Sequence, residues 1–181
     1  GASRASMMTG LRPSKKRFKT FYARADEDAK NAKTVFGYLT EQGYHTQSMG
    51  KIMHNAGDSA SQWSIPPWKS PSKGGMGHRN YVLEENIERF AHVKKGPAFE
   101  SADVEDNAYF DGMIADHAIE ALSDAQSLDQ PFFMAVGFVK PHLPFNAPKR
   151  YWDLYNARDI VLADNPCLLY TSPSPRDRFL S

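Results

Sequence analysis

The sequence holds one cysteine, almost no excess of either charge and no apolar run long enough for a membrane helix. A single cysteine, Cys167, excludes an internal disulfide framework. The 22 lysine and arginine residues nearly balance the 21 aspartate and glutamate residues, so the net charge of +1 creates no overall field for nucleic acid or an anionic membrane. The apolar run 132–139 is far below the roughly 20 residues of a membrane span. We therefore expect neither nucleic acid nor a membrane as a partner.

Aromatic residues, by contrast, are plentiful, with 3 Trp, 8 Tyr and 11 Phe among 181 residues. Together with a hydrophobic content of 41% and a charged content of 24%, they are typical of a folded chain and argue against a disordered one. The length is sufficient for one domain with a substantial hydrophobic core.

Helix and strand patterns alternate along the chain. Apolar residues at helical spacing predict helices over 31–42 and 109–128. A strand pattern follows each helix, the first over 44–49 and the second in the apolar run 132–139. Because the second run is continuous rather than alternating, we expect that strand to be buried on both faces. The alternation of helices and strands indicates an α/β fold.

Both strand patterns lead directly into a lysine and a histidine. Lys51 and His54 follow the first strand, and Lys140 and His142 follow the second, in a loop that contains two prolines. Ligand sites in open α/β sheets lie outside the carboxyl ends of strands, so we expect these side chains to lie near one edge. For His142 the alternative is a hydrogen-bonded loop histidine with no chemical role.

A short helix is predicted at the beginning of the sequence, over 4–9. Ser3 is the expected N-cap, and Gly10 is the expected stop. Arg4 in the first turn opposes the helix dipole, which suggests that it pairs with an anionic substrate or a carboxylate. An exposed arginine at a frayed helix end is the alternative.

Aromatic and charged residues outside the strand ends allow more than one interpretation. Trp63 and Trp68, in a long loop, could form a wall for a sugar ring or could pin the loop to the domain. The basic cluster between Lys15 and Arg24 is predicted to be a solvated loop. Four acidic residues are predicted to be solvated, because their spacing matches no EF-hand loop; these are Glu100, Asp103, Glu105 and Asp106.

Three separated stretches resemble motifs of the sulfatase family. Ser3–Gly10 resembles the second half of the motif Cys-x-(Pro/Ala)-Ser-Arg, which ends in Thr-Gly. Gly43–Thr46 together with Gly50–His54 resembles the second sulfatase signature. Lys140–Phe145 resembles the lysine–proline–histidine loop of the iduronate-2-sulfatase branch. Their order and spacing also fit, and the similarity extends from Gly1 to about residue 166.

The resemblance implies an alkaline-phosphatase-like α/β fold, with a central, mostly parallel sheet flanked by helices. It implies hydrolysis of sulfate esters through a formylglycine made from the motif cysteine, with a divalent cation, usually Ca²⁺, as cofactor. The implied substrate is a sulfated carbohydrate or a small sulfate ester. The implied compartment is the periplasm, the extracellular space or the lysosome, and the sequence does not choose among them.

The resemblance also implies roles for individual residues. Arg4 would orient the formylglycine and offset its charge, while Lys51 and His54 would contact the diol and the sulfate oxygens. His142 would contact the sulfate or assist protonation of the leaving group. For Lys140 the resemblance implies no role beyond a possible contact with the sulfate.

The resemblance leaves parts of the family pattern outside this sequence. The register places the modified cysteine immediately before Gly1, and the family's metal ligands would lie upstream and downstream of the matching region. We therefore expect 1–166 to be a partial sulfatase catalytic domain without metal ligands of its own, and inactive by itself. Residues 167–181 contain CLLYTSPSPRD, which resembles a translated sequencing adapter, so we expect a non-native, disordered tail there.

Two other functions compete with sulfate-ester hydrolysis. The first is hydrolysis of phosphate or phosphonate monoesters by a relative in the same superfamily, because tetrahedral anions share charge and shape. The second is a non-catalytic carbohydrate-binding module that uses Trp63, Trp68 and the basic cluster between Lys15 and Arg24.

Overall fold

The computed structural model describes residues 1–68 and 80–161. Within them the helices are α1 (Ala2–Thr9), α2 (Ala25–Asp28), α3 (Val35–Glu41), α4 (Glu84–Val93), α5 (Phe110–Ala125) and α6 (Lys149–Trp152). The strands are β1 (His45–Gly50), β2 (Phe99–Glu100), β3 (Phe132–Gly137) and β4 (Phe145–Asn146). The chain divides into two compact units, Gly1–Lys149 and Arg150–Ser181.

The strands pair in parallel, as expected of an α/β fold. β1 pairs with β3 along its whole length, from His45 opposite Phe132 to Gly50 opposite Gly137. β2 and β4 form a second, shorter parallel pair. Parallel pairing brings the carboxyl ends of β1 and β3 to the same edge, so the segments that follow both strands emerge side by side.

The predicted helices and strands around this pair are largely confirmed. β1 and α5 lie where the strand over 44–49 and the helix over 109–128 were predicted. Gly10 ends α1 in the left-handed conformation, with φ 70°, as predicted. The N-cap prediction was wrong, because Gly1 rather than Ser3 precedes the helix and no side chain caps it.

The expectation that β3 is buried on both faces was wrong for the described chain. Phe132 is 39% exposed and Val136 is 40% exposed, although both belong to a continuous apolar run. Within the described ranges, β3 has β1 as its only strand partner. A continuous apolar run indicates a strand that can be buried on both faces. Whether it is buried depends on which helices or sheets pack against those faces.

Aromatic side chains belong to both hydrophobic clusters that contain residues of the β1–β3 pair. Trp63 is only 6% exposed, and its ring stacks on that of Phe36 with 3.9 Å between the centroids. Trp63 therefore pins its loop to α3 and cannot offer its face to a sugar. Trp68 stacks on His117 of α5, at 4.7 Å between the centroids, so His117 has a packing role.

The prediction that all four acidic residues between positions 100 and 106 are solvated was wrong for Glu100, which is 2% exposed. Its carboxylate accepts hydrogen bonds from the backbone N–H groups of Val82, at 2.7 Å, and Leu83, at 3.2 Å. It also accepts from the Asn86 amide at 2.6 Å and the Tyr109 hydroxyl at 2.9 Å. These hydrogen bonds satisfy the buried carboxylate and fasten the start of α4 to β2.

The second unit is described to residue 161. It contains most of α6 and a short 3₁₀ turn, Ala157–Asp159, in which the Asn156 side chain accepts a hydrogen bond from the Arg158 N–H. The tail predicted for 167–181 lies outside the described residues and stays a prediction. Across the described ranges, none of the helices combines the length and the apolar character needed to cross a membrane.

Candidate active site

A cleft of about 510 Å³ opens where the carboxyl ends of β1 and β3 meet. All five side chains singled out from the sequence line it, namely Arg4, Lys51, His54, Lys140 and His142. Its other lining residues are Gly1, Ser3, Phe21, Phe138, Val139 and Pro141. The structure thus brings three separated segments of the chain together at one opening, while the roles of the five side chains stay predictions.

Two glycines allow the strand ends to approach closely enough to form this cleft. Gly50 has φ +74°, and a Cβ there would lie 2.1 Å from the carbonyl oxygen of Gly137. A Cβ on Gly137 would in turn lie 2.3 Å from the carbonyl oxygen of Lys51. The Lys51 N–H donates to the Gly137 carbonyl at 2.6 Å, which extends the β1–β3 pairing into the cleft wall. Both positions therefore require glycine.

Arg4 ties α1 to the segment after β1. Its Nη1 donates to the backbone carbonyls of Lys51 and of Ile52, the second at 2.9 Å. Among residues 1–68 and 80–161 no carboxylate pairs with Arg4, which bonds to backbone oxygens instead, and its predicted pairing with an anionic substrate stays a prediction. These bonds hold a planar, positively charged group at the cleft wall, where it can face an anion.

The loop after β3 is held by its own polar groups. Lys140 Nζ donates to the carbonyls of Pro144, at 2.6 Å, and His142, at 3.4 Å. His142 Nδ1 lies 2.6 Å from the Leu143 carbonyl oxygen. A carbonyl oxygen only accepts hydrogen bonds, so Nδ1 is the donor nitrogen in this contact.

The cleft concentrates positive charge in a partly buried place. Burial, followed by the charge of Arg4, lowers the pKa of Lys51. Burial lowers the pKa of Lys140, while the nearby carboxylate of Asp111 acts in the opposite direction. Crowded like charges raise the free energy of the empty cleft, and an anion that enters it relieves this repulsion.

The comparisons with known proteins identify the family. A family model described as Sulfatase matches residues 1–176. The chain belongs to the sulfatase family. Iduronate 2-sulfatase of Homo sapiens is 32% identical over 170 residues, which cover 91% of this chain and 30% of the human protein. Arylsulfatase of Clostridium perfringens is 25% identical over 197 residues, which cover 88% of this chain and 37% of that protein.

The sulfatase chain thus spans about a third of the length of these relatives. Iduronate 2-sulfatase of Mus musculus is also 32% identical over 170 residues. The sulfatase domain has the alkaline-phosphatase-like fold, in agreement with the helices and the short parallel strand pairs described above. Family membership supports hydrolysis of sulfate esters in general.

The cleft of this sulfatase chain suits an anion and does not fit a cation. Its ionisable lining groups are arginine, lysine and histidine, whereas a hard divalent cation requires several oxygen ligands. Among residues 1–68 and 80–161, no group of three or more His, Cys, Asp or Glu side chains is placed to hold a metal ion. The described side chains therefore do not provide a metal centre by themselves.

We expect the pKa of His54 in this cleft to lie below the ordinary histidine value of 6.5. Burial is the main cause, and the positive charges of Lys51 and Arg4 add to it. The unfolded chain holds this proton to a higher pH than the folded chain does, so His54 reduces stability as the pH falls below the unfolded value. An NMR titration of the histidine C–H signals measures this pKa.

Replacement of Lys51 by glutamine provides the matched test of this charge effect. The variant Lys51→Gln removes one neighbouring positive charge and should raise the pKa of His54. The variant Lys15→Gln, which changes an exposed lysine outside the cleft, should leave the pKa of His54 unchanged. A His54 pKa at or above 6.5 in the unsubstituted protein would contradict the arrangement of charges described here.

Asp111 is a cleft-supporting residue that sequence reasoning missed. Its carboxylate accepts the backbone N–H groups of Val139, at 2.8 Å, and Lys140, at 3.0 Å. It lies in the first turn of α5, where a negative charge also suits the helix dipole. Asp111 therefore fixes the point at which β3 becomes the His142 loop.

We expect Asp111→Asn to reduce the free energy of unfolding by about 1–3 kcal/mol, because an amide NH₂ cannot accept the second backbone N–H. The loss of negative charge should also lower the pKa of Lys140 further, since the Asp111 carboxylate opposes the effect of burial. Urea denaturation measures the first effect. The control is Asp124→Asn, at an exposed position of the same helix, and equal stability of the two variants would refute the anchoring role.

Proposed function

We propose that this chain forms part of the active site of a sulfatase, in which the cationic cleft holds a sulfate ester for hydrolysis. One observation carries the proposal: Arg4, Lys51, His54 and His142, separated by up to 138 residues in sequence, line one cleft of about 510 Å³. A sulfate group is small and carries its charge on several oxygens, so a cleft with converging cations and N–H donors is suited to it.

Arg4 and Lys51 supply positive charge that is in place before the substrate arrives. During attack on sulfur, negative charge builds up on the sulfate oxygens and on the oxygen of the departing alcohol. Groups that are already oriented stabilise this charge without having to reorganise. The bonds from Arg4 to the carbonyls of Lys51 and Ile52 provide that orientation.

The histidines supply N–H groups and a proton. A neutral ring at pH 7, which the lowered pKa of His54 favours, donates one hydrogen bond and adds no further positive charge. The Nδ1–H of His142 is directed to the Leu143 carbonyl, so Nε2 is the nitrogen that exchanges a proton at the substrate. Protonated at Nε2, His142 would donate that proton to the departing alcohol oxygen.

We propose that the nucleophile of the complete enzyme is attached to the amino group of Gly1. Gly1 lines the cleft, and a Cβ there would lie 2.1 Å from the carbonyl oxygen of Phe21, so the backbone fits tightly at this point. A formylglycine joined at this position would supply the attacking oxygen. The divalent cation of the family finds no ligand set among the described residues, so we assign no role to it here.

The substrate class that we propose is a sulfated carbohydrate or a small sulfate ester. The experiment compares turnover of 4-nitrocatechol sulfate with turnover of 4-nitrophenyl phosphate by the complete enzyme that contains this chain. We expect faster turnover of the sulfate ester. Preferential turnover of the phosphate ester would instead support the phosphate or phosphonate monoester hydrolase. Turnover of neither ester would refute the proposed function.

We also propose that the 181-residue chain alone releases no sulfate from 4-nitrocatechol sulfate. The reason is that the nucleophile is placed by the motif register before Gly1. Release of sulfate by this polypeptide above the level of a Lys51→Met variant would refute this part and leave the assignment of the cleft intact.

A further inference from the structure

A second cleft, of about 600 Å³, adjoins the cationic cleft at His142. His142 lines both clefts, and the loop that carries it provides a wall to each of them. The other residues that line the second cleft are Tyr81, Phe90, Lys94, Lys95, Gly96, Pro97, Ala98, Leu143 and Pro144. A molecule whose ester group occupies the cationic cleft would therefore have its remaining part next to this space.

The floor of the second cleft is apolar and firmly held. Tyr81 is 6% exposed, and its hydroxyl donates to the Pro97 carbonyl at 2.8 Å. A Cβ on Gly96 would lie 2.3 Å from the Tyr81 ring, so the glycine allows the ring to pack against the backbone. The Phe90 ring lies 6.0 Å from that of Tyr81, centroid to centroid. Aromatic and aliphatic surfaces of this kind suit the apolar face of a sugar ring.

Two lysines give the described part of the second cleft a positive charge. Lys94 and Lys95 follow the end of α4, and both are exposed. Lys94 ends the helix in the left-handed conformation, with φ 56°. None of the described residues that line this cleft is an aspartate or a glutamate. An anionic group attached to a ring on the apolar floor would meet these two cations.

We infer that this second cleft binds the alcohol half of the sulfate ester, and that Lys94 and Lys95 recognise a second anionic group carried by that half. The inference rests on the proposed function and makes it more specific. The substrate class is a sugar sulfate whose ring, or neighbouring ring, carries a further sulfate or carboxylate. The His142 loop separates the two anions, so one anion occupies each cleft.

The kinetic test uses the complete enzyme and the variant Lys94→Ala/Lys95→Ala. We expect kcat/KM for a disulfated sugar to fall about tenfold or more, mainly through KM, because a lost ionic contact of about 1.4 kcal/mol corresponds to a factor of 10. We expect kcat/KM for 4-nitrophenyl sulfate, which has no second anion, to stay within about twofold of that of the unsubstituted enzyme. The control variant Lys15→Ala/Lys16→Ala removes the same charge from exposed positions elsewhere and should change neither value.

Equal losses for the two substrates, or no loss for the disulfated sugar, would overturn the inference. If the enzyme turns over neither the disulfated sugar nor 4-nitrophenyl sulfate, a binding experiment tests the inference instead. Calorimetry with a sugar that carries two sulfonate groups, which contain no ester bond to cleave, should show weaker binding to Lys94→Ala/Lys95→Ala than to Lys15→Ala/Lys16→Ala. Equal affinities would overturn the second-anion site, whereas absence of turnover alone would overturn only the proposed function.

Discussion

Replacement of His142 by glutamine should reduce kcat of the complete enzyme by about 10²- to 10⁴-fold, which is the usual contribution of a general acid. Glutamine can preserve a hydrogen bond to the Leu143 carbonyl through its NH₂ group, but it cannot deliver a proton. The loop itself should remain in place, because its backbone is also held by Asp111 and by the Lys140 side chain.

The size of the loss should depend on the leaving alcohol. An alkyl alcohol leaves poorly without a proton, whereas 4-nitrophenolate leaves readily as an anion, so His142→Gln should impair hydrolysis of a sugar sulfate more than that of 4-nitrophenyl sulfate. His92→Gln, at an exposed histidine of α4 that lines neither cleft, is the control. Equal losses for both esters would show that His142 binds the sulfate group without acting as an acid.

Replacement of Gly50 by alanine should have the largest effect on stability. The left-handed conformation costs a non-glycine residue about 1–2 kcal/mol. The added Cβ would also lie 2.1 Å from the Gly137 carbonyl oxygen and 2.7 Å from the Ile114 side chain. Relief of such a clash in a packed region costs about 1–3 kcal/mol more, so we expect a total loss of about 2–5 kcal/mol in the free energy of unfolding.

Gly43→Ala separates the two contributions. Gly43 also has a positive φ, +86°, but nothing lies within 4 Å of a Cβ built there. Gly43→Ala should therefore lose only the conformational cost, about 1–2 kcal/mol. Urea denaturation of both variants measures the difference. If the two variants lost the same stability, the close approach of the β1 and β3 ends would not be tight enough to shape the cleft.

The convergence of the cleft residues follows from features that a sequence can show. A strand pattern ends just before Lys51, which predicts that this lysine lies at the carboxyl end of the strand. A second strand pattern predicts the same position for Lys140. Parallel pairing then places both segments at one edge. The position of Arg4 depended on the motif resemblance, because nothing in a short amphipathic helix specifies which strand end it faces.

The supporting contacts could not be predicted in this way. Asp111 and Glu100 each bind backbone N–H groups of a distant or irregular segment, and such partners are fixed only when the elements pack. Acidic residues in a polar stretch are usually solvated, and nothing in the sequence around Glu100 indicates that it is buried. The exposure of Phe132 and Val136 in β3 has a similar origin, because burial depends on neighbouring layers as well as on the strand.

Sulfate binding followed through the histidine signals tests the central claim most directly. In the complete enzyme, addition of sulfate should shift the NMR signals of His54 and His142 together, with one dissociation constant and with a rise in the pKa of His54. Lys51→Gln should weaken both responses equally, and chloride at the same ionic strength should produce neither. Different dissociation constants for the two histidines, or no response of either, would contradict a single anion site formed by these segments.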